Sequence, residues 1–270
     1  MRVLFVKHDH ASPSGLVGDA FTSLRWDVSE LTVVPEARFH SPDVPVVFPS
    51  AAAFDALVFY GAPWSVYDTQ AIGTWIGDEI AFARSAISLG VPVLGICFGG
   101  QMLATALGGS VALAPVPEIG WISVSTSAPG LIAAGPWFSW HYDQFTLPSG
   151  VDTLARTALA NQAFSVGRSL GLQFHPEVDE EVLKAWLASG GEAQLAEAGI
   201  AIPPLLARTR ELTEAASARA EVLVRRFVTD VARRPAVPVP VLPLAADATV
   251  LTHPRWQLGP LAGLACLCAA

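Results

Sequence analysis

The stretch VPVLGICFGGQMLATALGG, residues 91–109, constrains this chain more than any other. A short apolar run, VPVLGI, ends at Gly95-Ile96-Cys97-Phe98-Gly99, and a helical pattern begins at once over residues 99–107. A strand that turns sharply into a helix belongs to an α/β sheet, where sites gather at the carboxyl ends of the strands. Gly-x-Cys-x-Gly has the form of a nucleophile elbow with cysteine in place of serine. The nucleophile stands at a strained apex, and the flanking glycines spare the turn from Cβ clashes. The helix start would aim its unpaired N–H groups and positive dipole end at the sulfur, favouring thiolate. The Phe98 N–H would be placed to donate to an oxyanion formed at an attacked carbonyl. A small buried hydrophobe at a strand end would carry the same letters, because cysteine is among the most buried residues. The elbow alone leaves both readings open.

The rest of the chain fits the sheet. RVLFV (2–6) and ALVFY (56–60) are short, apolar and rich in valine and leucine, and the gaps between such runs are long enough for crossover helices. Ile72, Ile76, Ile80, Ala83 and Ile87 recur at helical spacing and predict a crossover helix over 70–89. After Gly109 the texture changes: 121–128, 153–160 and 162–167 read as antiparallel strands separated by turn residues. GLQFHPEV (171–178) returns to a strand and leads into a helix with acidic residues in its first turn, DEEVLKAWLAS. An alanine- and arginine-rich segment over 203–232 predicts a further amphipathic helix. Residues 1–232 thus form one α/β domain, and from Pro235 the proline density of PAVPVPVLPLAAD predicts an extended tail within 233–270.

A nucleophile needs a base, and His175 in Gln173-Phe174-His175-Pro176-Glu177 is the strongest candidate of the six histidines. It ends an apolar strand, and Pro176 biases it towards extended geometry. Residues i and i+2 of an extended chain project together, so Glu177 would lie beside the imidazole, fixing its tautomer and stabilising the imidazolium. A surface H-P-E turn without a chemical role is the competing reading of that stretch alone.

With both segments in view, VLGICFGGQ and GLQFHPEV resemble the two motifs of class I glutamine amidotransferases, in the branch of the GMP synthase glutaminase domain and its stand-alone relatives. AFSVG and Glu118-Ile119-Gly120-Trp121 are similar to flanking segments of that family, and the resemblance runs over residues 2–230. It implies a flavodoxin-like glutaminase fold: a mostly parallel central sheet flanked by helices, with a small antiparallel region. It implies Cys97 as nucleophile, His175 as base and Glu177 as its orienter. Gly61-Ala62-Pro63 is similar to the family's Gly-Gly-Pro loop, so an N–H of Gly61 or Ala62 joins that of Phe98 in the oxyanion hole. Ala62 departs from the family's second glycine, and it would be strained if that position needed positive φ. Gln101 matches a position that contacts bound glutamine. Tyr142 and Asp143, in Trp140-His141-Tyr142-Asp143, either line the glutamine pocket or pack beneath the site.

Other features exclude more than they add. The net charge of −8 argues against nucleic acid or an anionic membrane as partner. Mean hydropathy is +0.45, yet no apolar run approaches the roughly 18–20 residues of a membrane span. MRVLFVKHDH lacks the features of a signal peptide, and a reducing cytoplasm fits three cysteines without disulfide spacing. His8-Asp9-His10 and the Cys266–Cys268 pair fall short of a metal ligand set. No phosphate-loop or dinucleotide fingerprint appears, so no cofactor is expected. The expected reaction is hydrolysis of the γ-amide of glutamine, with the ammonia passing to a synthase on a separate chain. The alternative is a stand-alone γ-glutamyl peptide hydrolase, since about 40 residues beyond the last predicted helix cannot hold an acceptor fold. A non-catalytic homologue would have no need of Cys97, His175 and Glu177 together, and other cysteine-elbow hydrolases lack the late H-P-E strand.

Overall fold

A computed structural model describes residues 1–235. The proline-rich tail expected beyond Pro235, with Cys266 and Cys268, lies outside the described residues. The buried apolar runs form the central strands: β1 (Arg2–Lys7), β3 (Ala56–Phe59), β4 (Val93–Ile96) and β9 (Ser169–Leu172). Their residues alternate between two core clusters. Leu4, Val6, Leu57 and Phe59 face one side, and Val3, Phe5, Ala56 and Val58 the other, because successive side chains of a strand point to opposite faces. Helices α2 (Thr69–Ser88) and α3 (Phe98–Ala106) cover the first face. Helices α1 (Gly15–Ser23) and α6 (Ile202–Arg226) cover the second. Asp68 caps α2 by accepting the Ala71 N–H at 3.2 Å, and Pro203 and Pro204 open α6, where missing N–H groups cost nothing.

The remaining strands are β2 (Asp27–Thr32), β5 (Ser110–Thr126), β6 (Gly135–Thr146), β7 (Thr153–Arg156) and β8 (Asn161–Val166). The order in the nine-stranded sheet is β2-β1-β3-β4-β9-β8-β7-β5-β6. β2, β1, β3, β4 and β9 pair in parallel, whereas β9 to β8, β8 to β7, β7 to β5 and β5 to β6 pair antiparallel. The expected mostly parallel sheet is therefore mixed, and its antiparallel half is no small appendage. Its longest members form a hairpin whose register shifts between Leu113 and Glu118. Pro115 and Pro117 lie in that interval and cannot donate to the ladder, so the strand bulges there instead of reading as one run.

The strand expected over 171–178 is also shorter. Parallel pairing with β4 ends at Leu172, after which the Gln173 N–H donates to Gln162 O and the His175 N–H to Phe138 O, at 2.8 and 2.7 Å. Pro176 then supplies no donor, and the chain enters α4 (Glu180–Trp186), capped by Asp179, and α5 (Glu192–Glu197). α4, α5 and the start of α6 pack on the β5–β6 hairpin in a third cluster around Phe138, Leu183, Leu195 and Leu205. Among the described residues no helix is long and apolar enough to cross a membrane. From β1 the chain runs outward to β2 and then back across to β3. The switch point lies at β1, and the carboxyl ends of β1, β3, β4 and β9 meet beside it.

Candidate active site

Cys97 joins β4 to α3 with φ 50° and ψ −107°, a conformation that non-glycine residues rarely adopt and that functional turns retain. The backbone around it is pinned. Its N–H donates to Leu172 O at 2.8 Å, and its carbonyl accepts the Gln101 N–H at 2.9 Å. The glycines are there for close approach: a Cβ on Gly95 would strike the Gly99 carbonyl, and one on Gly100 the Leu172 carbonyl. Strand and helix meet too tightly for any side chain at these positions.

His175 and Glu177 lie next to this elbow. His175 Nδ1 is 2.7 Å from Glu177 Oε1, and both side chains are buried. Pairing with a carboxylate at Nδ1 makes that nitrogen the proton bearer and leaves Nε2 for Cys97. Burial acts most strongly on the ring and favours its neutral form. The Glu177 carboxylate and Cys97 outweigh that, raising the pKa from 6.5 to about 10. Among the described residues Nε2 itself has no hydrogen-bond partner, and Trp186 closes the ring's flank edge-on at 4.8 Å between centroids. Glu177 is held from behind, its carbonyl accepting the Leu16 N–H at 3.0 Å where Gly15 approaches without a Cβ.

The Gly61-Ala62 loop follows β3. A Cβ built on Gly61 would come within 3.0 Å of the His175 ring and 3.9 Å of Cys97 Cβ, so the loop borders both groups. Ala62 keeps negative φ, since Arg25 and Cys97 are the non-glycine residues with positive φ among those described. The feared strain at Ala62 does not arise. Among the described residues the N–H groups of Gly61, Ala62 and Phe98 have no acceptor, whereas that of Gly99 is used by Tyr60 O at 3.1 Å.

Gln101 is buried on the first turn of α3 and donates from Nε2 to Asp143 O and Gln173 Oε1, both at 3.3 Å. The Asp143 carboxylate accepts from Ser65 at 2.5 Å and Tyr67 at 2.8 Å, so Asp143 stands beside Gln101. Tyr142 packs on the third core cluster, among Trp140 and Trp186.

Two groups of residues are given no place in the site by the sequence, although His8 is weighed there as a metal ligand. Gln173 Nε2 lies 3.7 Å from Cys97 Sγ, and its place two residues before His175 in an extended segment was the available signal. His8 is fully buried, with Nε2 2.7 Å from Glu79 Oε1 and Nδ1 3.0 Å from Gly61 O. His8 and His10 part company: His10 lies edge-on to Phe39. Among the described residues no group of three or more His, Cys, Asp or Glu side chains could hold a metal ion. A strained thiol, an imidazole held by a carboxylate and unused backbone N–H groups can together perform acyl transfer through a covalent intermediate.

The sequence pattern of the family described as "Glutamine amidotransferase class-I" matches residues 30–189. A glutamine-hydrolyzing GMP synthase of Aeropyrum pernix is 38% identical over 149 residues, 50% of this chain and 27% of that enzyme. One subunit of a glutamine-hydrolyzing GMP synthase from Sulfolobus acidocaldarius is 36% identical over 135 residues, 46% of this chain and 68% of its own length. The chain thus spans about a quarter of the full-length synthase and two thirds of the Sulfolobus protein. Among solved structures, a glutamine amidotransferase from Thermotoga maritima superposes with a TM-score of 0.74 at 26% identity, covering 85% of this chain and 98% of that one.

Proposed function

The chain belongs to the glutamine amidotransferase class-I family, and we propose that it cleaves the γ-amide of glutamine through a thioester on Cys97, passing the ammonia to a separate acceptor enzyme. The observation that carries this reading is Cys97 at its strained elbow beside His175, whose other nitrogen is held 2.7 Å from Glu177. Thiolate Cys97 attacks the side-chain carbonyl, and the oxyanion accepts hydrogen bonds from Phe98 and from the Gly61–Ala62 loop. His175, as imidazolium, gives its proton to the departing ammonia. The neutral ring then takes a proton from water, which cleaves the thioester and releases glutamate. Glu177 keeps the imidazole oriented throughout, and each oxyanion donor contributes about 10²–10³ in rate.

Gln101, with Asp143 beside it, borders the glutamine pocket on this reading, and residues 1–232 are the working unit. A reducing compartment such as the cytoplasm would keep the buried Cys97 thiol free. The Sulfolobus relative, by its name one subunit of a synthase, supports a separate synthase as acceptor.

The test is glutamate release by purified protein from glutamine and from a γ-glutamyl dipeptide. Cys97→Ala should release no glutamate from either. Equal release by variant and parent would sink the assignment. Turnover of the dipeptide by the protein alone would replace the amidotransferase with a γ-glutamyl peptide hydrolase working through the same residues.

A further inference from the structure

Beyond the Cys97–His175–Glu177 set, His8 and Glu79 form a buried titratable pair against the Gly61–Ala62 loop. His8 directly follows β1, Glu79 comes from the middle of α2, and both are fully buried. A buried charge pair costs several kcal/mol of lost hydration, so its retention calls for a purpose. Its contacts supply one. The Gly61 carbonyl can only accept, so His8 Nδ1 must carry the proton that bridges the 3.0 Å between them. Glu79, 2.7 Å from Nε2, holds the ring in that orientation, and Phe98 and Trp75 pack against it at 4.6 and 5.8 Å between centroids.

The peptide plane makes this consequential. A trans peptide directs its C=O and N–H to opposite sides, and no cis bond occurs among the described residues. The Tyr60 carbonyl is turned towards the elbow, where it accepts the Gly99 N–H at 3.1 Å. The Gly61 N–H, in that same peptide unit, is therefore turned away from the elbow. The next unit is reversed: with the Gly61 carbonyl drawn to His8, the Ala62 N–H points away from His8. A Cβ built on Gly61, between the two units, would lie 3.0 Å from the His175 ring and 3.9 Å from Cys97 Cβ.

We infer that His8, oriented by Glu79, is a positioning residue that locks the Gly61–Ala62 peptide so that Ala62, not Gly61, supplies the second oxyanion donor. Without the Nδ1–H contact the peptide is free to turn over, presenting a carbonyl where the oxyanion needs a donor. The inference rests on the glutaminase reading and selects between the two loop amides that reading leaves open.

The test compares parent, His8→Leu/Glu79→Met, which removes donor and buried charge together, and His8→Asn, whose amide nitrogen takes the place of Nδ1. Each is assayed for glutamate release from glutamine and a γ-glutamyl dipeptide. Each is also assayed for alkylation of Cys97 by iodoacetamide, a reaction that uses the thiolate but forms no oxyanion. The double variant should lose about 10²–10³ in kcat, the worth of one oxyanion donor, with KM within about threefold of the parent. Its alkylation rate should match the parent, and His8→Asn should recover at least about tenfold of the lost kcat. Unchanged kcat in the double variant overturns the inference and leaves the glutaminase reading standing. Alkylation falling in step with kcat also overturns it, because the Cys97–His175 pair itself would then be disturbed. If the double variant does not fold, the single variants His8→Asn and Glu79→Gln decide: with parental alkylation in both, a kcat loss of up to about tenfold in Glu79→Gln that exceeds any loss in His8→Asn supports the inference, whereas no kcat loss in Glu79→Gln, or alkylation falling with kcat, overturns it. A parent inactive on both substrates removes the glutaminase reading, and the inference with it.

Discussion

Two buried histidine–glutamate pairs meet at one site, each closed at 2.7 Å, and they differ in what the second ring nitrogen does. In His175 it has no hydrogen-bond partner among the described residues; in His8 it is already committed to the Gly61 carbonyl. On the proposed reading the first ring exchanges a proton and the second holds one. Burial acts most strongly on both rings and favours their neutral forms, yet the neighbours together outweigh it, Glu177 with Cys97 for His175 and Glu79 with Gly61 and Asp9 for His8, and the pKa of each is raised. The same pair of residue types thus serves chemistry or architecture according to the partner of one nitrogen.

Placing the same substitution in both pairs is the strongest way to break this comparison. His175→Asn keeps a contact to Glu177 but removes Nε2, and should lower kcat for glutamate release by about 10⁴–10⁶. His8→Asn keeps its contact to Gly61 and should stay within about tenfold of the parent. Equal losses would mean that the two histidines share one role. Next in size are the carboxylates. Glu177→Gln should cost about 10³–10⁴ in kcat, because an imidazolium then forms without its counter-charge, whereas Glu79→Gln should cost less than about tenfold.

Stability should rank the pairs the other way. His8→Leu alone strands the Glu79 carboxylate in the core and should cost about 3–5 kcal/mol in urea unfolding, most of it regained in His8→Leu/Glu79→Met. The smallest effect is a slope. His175 binds its proton more tightly when folded, so its contribution to stability is complete below about pH 6.5 and fades as pH rises through about 10. His8 has the same sign. Urea midpoints measured across that window should fall for the parent, and His175→Asn should flatten the fall. A midpoint that rises with pH would contradict the imidazolium at His175.

The segments of the proposed site were legible because each is short and continuous. The elbow packs cysteine, turn and helix start into Gly95–Gly99, and Pro176 keeps His175 out of helical geometry while the turn at Pro176-Glu177 brings the carboxylate onto its ring. The buried strands were equally plain, since coverage on both faces leaves no alternation and the run reads as uniformly apolar. Other elements were silent. DVSELT in β2 lies at the sheet's edge, half exposed, and shows no apolar stripe. The first half of β5 hid behind Pro115 and Pro117, and β6 was visible only as an aromatic motif.

Local spacing therefore determined, from sequence alone, an α/β sheet, a cysteine elbow and a histidine with its carboxylate two residues away. Residues so near in the chain constrain one another through backbone geometry before any packing occurs. Tertiary structure decided the mixed character of the sheet, the placing of Gln173 against the sulfur, and above all the union of His8 with Glu79 and Gly61. Those three residues come from the chain just after β1, from α2 and from the loop after β3, and His8 and Glu79 are separated by 71 in sequence. Only the packing of α2 over the sheet brings them within hydrogen-bond reach, and no periodicity in the sequence records such a contact.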